Sequence, residues 1–145
     1  MTNPRLSLAL ASGAVTLPDT GRILILRPTA DIDTDGLPQD RCLIVHGFRP
    51  EHDAWQSAGW QVAPTLPEEE AFAAAIVCLP RSKTQAHAMI ARAASCASRW
   101  NSLVTRRATR RDAIGGGTSG ASLRFLPIIC CACCAYNVIL VLTSG

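Results

Sequence analysis

Three short, wholly apolar runs constrain the fold of this chain more than any other feature. They are Ile23–Leu26, Cys42–Val45 and Ala73–Leu79, and the first and third are stopped by Pro28 and Pro80. A strand of this length without polar alternation is buried on both faces, as in a parallel sheet covered by helices. The sequence therefore predicts the α/β class.

Helical patterns separate these strands. Helices are predicted over 4–12, 50–58 and 82–98, and a further short, alternating strand, third in chain order, over Trp60–Ala63. Strands that alternate with helices at short spacing indicate βαβ units. Four strands and three helices predict an incomplete parallel sheet with flanking helices, a partial Rossmann-like domain over residues 1–98.

The character of the chain changes after Ser98. Residues 1–98 hold eight Lys and Arg against ten Asp and Glu, whereas residues 99–145 hold six Arg against one Asp. Such an asymmetry indicates segments with different partners or histories. We divide the second part into a basic, Gly/Ser-rich linker over 99–124 and an apolar, Cys-rich tail over 125–145, which is predicted to be irregular or helical.

Three interpretations of this second part stay open. The apolar run Phe125–Leu142 is near the lower length limit of a membrane-spanning helix, although it contains Pro127 and Asn137. A basic cluster could instead bind nucleic acid or anionic lipid through its phosphates; its residues are Arg106, Arg107, Arg110 and Arg111. The third interpretation is a tail translated out of frame, which the abrupt change in charge and pattern favours.

No motif of the sequence predicts a cofactor or metal site. The glycine-rich stretch Gly115–Gly120 lacks both a preceding strand and a following Lys-Ser/Thr pair, so it is predicted to be a linker. No G-x-G-x-x-G follows a strand. The cluster Cys130–Cys134 contains two overlapping C-x-x-C pairs, but structural zinc is usually bound by two separated pairs. Cys42, Cys78 and Cys96 are predicted to be small buried apolar residues.

Polar residues gather where the second strand ends. His46 closes that strand, and His52 lies in the first turn of the next helix, where Arg49, Glu51 and Asp53 complete a charged rim. The carboxyl ends of strands are where α/β sheets place ligands, so Arg49 and His52 are candidate nucleic-acid contacts. A helix start with solvated charges is the simpler interpretation. No Ser or Cys nucleophile is placed to use the histidines, and no catalytic residue is predicted.

Three segments together resemble a known family. They are Arg5–Gly13 (RLSLALASG), Val45–Ala54 (VHGFRPEHDA) and Ala73–Lys83 (AAAIVCLPRSK). They resemble the N-terminal part of bacterial class I S-adenosylmethionine-dependent methyltransferases of the small-domain kind, in particular those that modify a guanine N2 in 16S ribosomal RNA. The resemblance covers residues 1 to about 98.

The resemblance implies a non-catalytic role. Enzymes of that family have two tandem α/β domains, of which the first is a degenerate copy that supports folding and RNA recognition. The second carries a Gly-rich cofactor loop and an Asn-Pro-Pro-aromatic motif, and neither occurs in this sequence. From Arg99 onward the chain also departs from the family's next strand and its Asp-Gly-Gln-Lys stretch. No S-adenosylmethionine site is therefore carried over, and segment 46–53 is carried over only as a surface position.

These observations lead to one expectation and two alternatives. We expect a truncated, cytoplasmic relative of an rRNA (guanine-N2) methyltransferase that is inactive alone, with 16S rRNA or the small ribosomal subunit as partner. One alternative is a small α/β module that binds RNA or protein. The other is a membrane-tethered protein that is anchored by residues 125–142.

Overall fold

The computed structural model describes residues 4–96, 123–128 and 139–144. The helices are α1 (Arg5–Ala11), α2 (Arg49–Ser57) and α3 (83–96). The strands are β1 (Ile23–Leu26), β2 (Cys42–Val45), β3 (Gln61–Ala63), β4 (Ala74–Cys78), β5 (Leu123–Ile128) and β6 (Ile139–Ser144).

These strands form one sheet in the order β3-β2-β1-β4-β6-β5. The first four in this order are parallel, whereas β6 runs antiparallel to both β4 and β5. The predicted α/β class, with a parallel sheet and flanking helices, is confirmed. Because β2 and β4 lie on opposite sides of β1, the direction of strand addition reverses there. Such a reversal is the switch point at which open α/β sheets bind ligands.

Each face of the sheet packs against helices. On one face the core joins strand residues to Leu6 of α1 and Trp55 of α2; the strand residues are Ile23, Ile25, Cys42, Ile44, Ala74, Ile76 and Cys78. On the other face Phe72, Ala93 and Cys96 cover Leu24, Leu26, Leu43, Val45, Ala75 and Val77. Every residue of β1, β2 and β4 is buried. Both faces of these strands are covered, and this explains why their sequences show no polar alternation.

Helix boundaries follow local chemistry. The chain leaves α1 through Gly13 (φ 72°) and α2 through Gly59 (φ 86°), in the left-handed region that glycine enters without strain. Before α3, the hydroxyl of Ser82 accepts a hydrogen bond from the Gln85 N–H at 3.4 Å. The predicted helices agree with the observed ones to within one or two residues at each described end.

The C-terminal segment differs from its prediction. Residues 125–145 were expected to be irregular or helical, but residues 125–128 and 139–144 lie in strands β5 and β6. The backbone of β6 pairs with β4 from Ala74↔Thr143 to Cys78↔Ile139. This pairing satisfies the polar groups of an edge that β4 would otherwise expose, which gives the extended conformation its advantage.

More than half of the segment considered as a membrane anchor lies outside the described residues. Of the run 125–142, residues 125–128 and 139–142 are strand, and 129–138 lie outside the described residues. Among the residues that the structure describes, no helix combines the length and the apolar character needed to cross a membrane.

Candidate functional site

The candidate site lies at the carboxyl ends of β1 and β2, beside the switch point. We call it the carboxyl rim; it consists of Arg27, His46, Phe48, Arg49 and His52. The strand ladder continues one residue into it, because the Arg27 N–H donates to the Val45 carbonyl at 2.9 Å and the His46 N–H to the Ala63 carbonyl at 3.0 Å. The backbone of both rim residues is therefore fixed by the sheet.

His46 is the buried centre of the rim. Its side chain is 6 % exposed, and Nδ1 accepts a hydrogen bond from the Phe48 N–H at 3.2 Å. A neutral ring with an accepting Nδ1 carries its single proton on Nε2. Burial lowers the pKa of His46. His46 is thus a neutral group that holds the turn after β2.

Phe48 is exposed on a fixed backbone. It is the residue before α2, its backbone is extended (φ −92°, ψ 115°), and the residue is 60 % exposed. Its N–H is bound to His46 Nδ1, and its carbonyl accepts the His52 N–H at 3.0 Å. Helices usually begin after Ser, Thr, Asp or Asn, whose side chains cap the first turn. Phe48 provides no such cap, and the helix instead starts with Pro50 in its first turn.

The two predicted contacts that the structure describes lie on the first turn of α2. The Arg49 side chain is 91 % exposed, and its guanidinium forms an ion pair with Asp53 at 3.7 Å, one turn along the helix. Such exposed pairs contribute little to stability. His52 is less exposed, and its Nδ1 lies 3.2 Å from Asp53 Oδ1. The other predicted contacts lie outside the described residues; they are Arg106, Arg107, Arg110 and Arg111.

Sequence reasoning missed two members of the rim. Arg27 follows β1 directly, is exposed, and adopts a left-handed conformation (φ 50°) that side-chain-bearing residues rarely take. Phe48 was not selected because a single apolar residue in a turn reads as part of the core. The signal that could have identified Phe48 is its position, since a large apolar residue stands where helices prefer a polar cap.

A cationic cleft of about 380 Å³ lies at the carboxyl end of β4. Its lining includes Arg81, Lys83 and His87 together with the apolar side chains of Leu79 and Ile90. Leu79 and Arg81 come from the connection between β4 and α3, whereas Lys83, His87 and Ile90 lie on α3 itself. Since β4 neighbours β1, this cleft and the carboxyl rim occupy the same edge of the sheet.

The described cysteines do not provide nucleophiles. Cys42, Cys78 and Cys96 are buried, as predicted for small apolar residues. Burial raises the pKa of Cys42 to about 11 and that of Cys78 to about 12, so these thiols stay protonated at neutral pH. Within residues 4–96, 123–128 and 139–144, no group of three His, Cys, Asp or Glu side chains is arranged to hold a metal ion.

Comparisons of the chain with protein-family models, with curated proteins and with solved structures find no match. Its function must therefore be inferred from the chemistry of the site. The carboxyl rim combines exposed guanidinium groups, an exposed aromatic ring and a buried neutral imidazole. These groups are suited to binding an anionic, aromatic ligand.

Proposed function

We propose that this chain is a non-catalytic α/β module that binds RNA through its carboxyl rim, and that it is a relative of the 16S rRNA guanine-N2 methyltransferases. The observation that carries the proposal is the exposed aromatic ring of Phe48 beside the exposed guanidinium of Arg49 at the ligand-binding edge of a parallel sheet. Guanidinium groups bind the phosphates of a nucleic acid, and aromatic rings bind its bases. The cationic cleft at the carboxyl end of β4 extends the same edge.

Two further observations support the proposed kinship. The strand order β3-β2-β1-β4 has the first strand in the middle, like half of a Rossmann sheet. The segment Val45–Ala54, which carries part of the resemblance, also supplies four of the five residues of the carboxyl rim. In the resembled family the N-terminal domain serves RNA recognition, so we propose 16S rRNA or the small ribosomal subunit as the partner and the cytoplasm as the location.

The turn after β1 supports the non-catalytic part of the proposal. Dinucleotide-binding sheets place a glycine-rich turn there, because only glycine lets the backbone approach the ligand closely. This chain has Arg27-Pro28-Thr29 at that position, and a polar loop rather than a helix leads on to β2. We expect isothermal titration calorimetry with S-adenosylmethionine to give no saturable heat. Saturable binding in the micromolar range would contradict the non-catalytic assignment.

RNA binding is tested with the full chain and an Arg49→Gln variant. We expect fluorescence anisotropy to show binding of a labelled RNA hairpin from 16S rRNA, with an affinity that falls as salt rises. If Arg49 contacts one phosphate, its replacement lowers the slope of log affinity against log salt by about 0.7–0.9. Arg92→Gln, at an exposed position of α3, is the matched control and should keep the full slope. Absence of RNA binding by the unaltered chain would refute the proposal.

A further inference from the structure

We infer that Phe48 is a stacking platform for one unpaired nucleobase, so that the carboxyl rim selects single-stranded or looped RNA over duplex RNA. This inference rests on the proposed RNA-binding function and specifies the class of RNA. Two large apolar side chains of the described residues are strongly exposed, Leu8 at 61 % and Phe48 at 60 %. Leu8 lies on α1, whereas Phe48 lies in the carboxyl rim.

The platform is held in place before any ligand arrives. Both backbone polar groups of Phe48 are engaged, the N–H by His46 Nδ1 at 3.2 Å and the carbonyl by the His52 N–H at 3.0 Å. His46 is itself buried and anchored through its own N–H to β3. An aromatic side chain on a fixed backbone has only two torsions to order, so binding loses little conformational entropy.

The neighbouring charges suit a nucleotide rather than an apolar partner. The guanidinium of Arg49 directly follows the ring in sequence, and Arg27 extends from the adjacent strand. A base that stacks on Phe48 brings its own phosphates toward the guanidinium groups of Arg27 and Arg49, of which Arg49 is shared with the Asp53 carboxylate at 3.7 Å. Bases inside a duplex have both faces covered by their neighbours, whereas bases of loops and single strands can splay out onto an aromatic side chain. The ring therefore recognises unpaired bases, and the guanidinium groups recognise phosphates of any RNA.

The test compares two RNAs of the same sequence, a labelled 12-nucleotide single strand and its blunt duplex, binding to the full chain. Stacking on an aromatic side chain contributes enough that Phe48→Ala should weaken single-strand binding by about 5- to 150-fold. Duplex binding should change by less than about twofold, because it depends on phosphate contacts. Phe48→Trp should retain single-strand binding, since it keeps the aromatic face. Leu8→Ala is the control for loss of an equally exposed apolar side chain and should leave both affinities unchanged.

A second variant separates stacking from loss of apolar bulk. Phe48→Leu keeps a large apolar side chain but has no aromatic face, and we expect it to bind single strands as weakly as Phe48→Ala does. The inference is overturned if Phe48→Leu binds like the unaltered chain, or if Phe48→Ala weakens duplex and single-strand binding equally. In either case RNA binding itself, and with it the proposed function, would stand. If the unaltered chain binds neither RNA, the proposed function fails instead.

Discussion

His46 connects the sheet to the surface that we propose for RNA binding. The residue is 6 % exposed, its backbone continues the β2 ladder, and its ring holds the N–H of Phe48. An imidazolium would have no lone pair on Nδ1 and would lose this hydrogen bond. Protonation of one buried ring therefore acts on the position of the exposed aromatic ring two residues away.

This coupling makes folding stability depend on pH in a definite direction. The pKa of His46 in the folded chain lies below its ordinary value of 6.5, so the unfolded chain binds the proton more readily. The stabilisation is complete above pH 6.5 and is lost as the pH falls below it toward the folded pKa. We expect urea unfolding to show a lower free energy of unfolding at pH 5 than at pH 7.5.

The matched variant is His46→Asn, whose side-chain oxygen can accept the Phe48 N–H but does not titrate. This variant should lose less stability between pH 7.5 and 5 than the unaltered chain does. The charged or titratable neighbours that act on His46 are Glu51, Arg27 and His52, and all three are retained. His87→Asn, at an exposed position on α3, is the control. Equal pH dependence in His46→Asn and in the unaltered chain would show that protonation of His46 does not cause the loss of stability.

At the residue scale, the sequence predicted the place of the site better than its members. Its pattern identified His46 at a strand end and Arg49 and His52 on the next helix turn, because boundary residues are visible in a local pattern. The exposure of Phe48 was not predictable in the same way. It depends on how the turn after β2 is directed by His46 and by the pairing of β2 with β3, which are contacts between elements.

Among the elements, short buried strands were the most predictable. β1 and β2 were predicted to the residue, because four apolar residues stand between polar or proline-containing stops. The third strand was predicted one residue too long, since Trp60 leaves the strand and packs edge-on against Trp55 with ring centroids 6.0 Å apart. Strands β5 and β6 were not predicted, because β5 pairs with β6, and β6 pairs with β4, which lies far away in the sequence.

The buried strands should account for much of the stability of this domain. Ile44 of β2 is fully buried in the core cluster that also contains Ile25 and Ile76. Ile44→Ala removes apolar contacts and leaves a cavity, so we expect a loss of about 2–5 kcal/mol in the free energy of unfolding. Leu8→Ala, at a position that is 61 % exposed, should change it by no more than about 0.5 kcal/mol. Urea titration followed by circular dichroism measures the free energy of unfolding of both variants, and equal losses would show that Ile44 does not lie in the core.

For the whole molecule, the sheet joins residues from both parts of a chain that the sequence divides at Ser98. β4 lies between parallel β1 and antiparallel β6, and β6 lies between β4 and β5. Val141, in the middle of β6, pairs with Ile76 of β4. The backbone register therefore assigns a structural role to a segment for which the sequence favoured an out-of-frame origin.

A proline substitution tests that role. Val141→Pro removes a backbone N–H from an interior strand, which should lower the free energy of unfolding by about 1–3 kcal/mol through unsatisfied polar groups. It should also increase aggregation, measured by light scattering, because β4 becomes an exposed edge. Val141→Thr keeps the N–H and a β-branched side chain and is the matched control. Equal stability of the two variants would show that β6 does not pair with β4 in solution.

The position of β4 in the sheet also sets an order of events during synthesis on the ribosome. The four parallel strands are complete once residue 78 has emerged, so their two-sided core can begin to form while the chain is still growing. The partner of β4 on its other side is β6, which begins only at Ile139. Until β6 has emerged, β4 presents an open hydrogen-bonding edge to other molecules near the translating ribosome. A nascent chain of this design is most vulnerable to misassembly after its parallel strands have formed and before β6 has emerged.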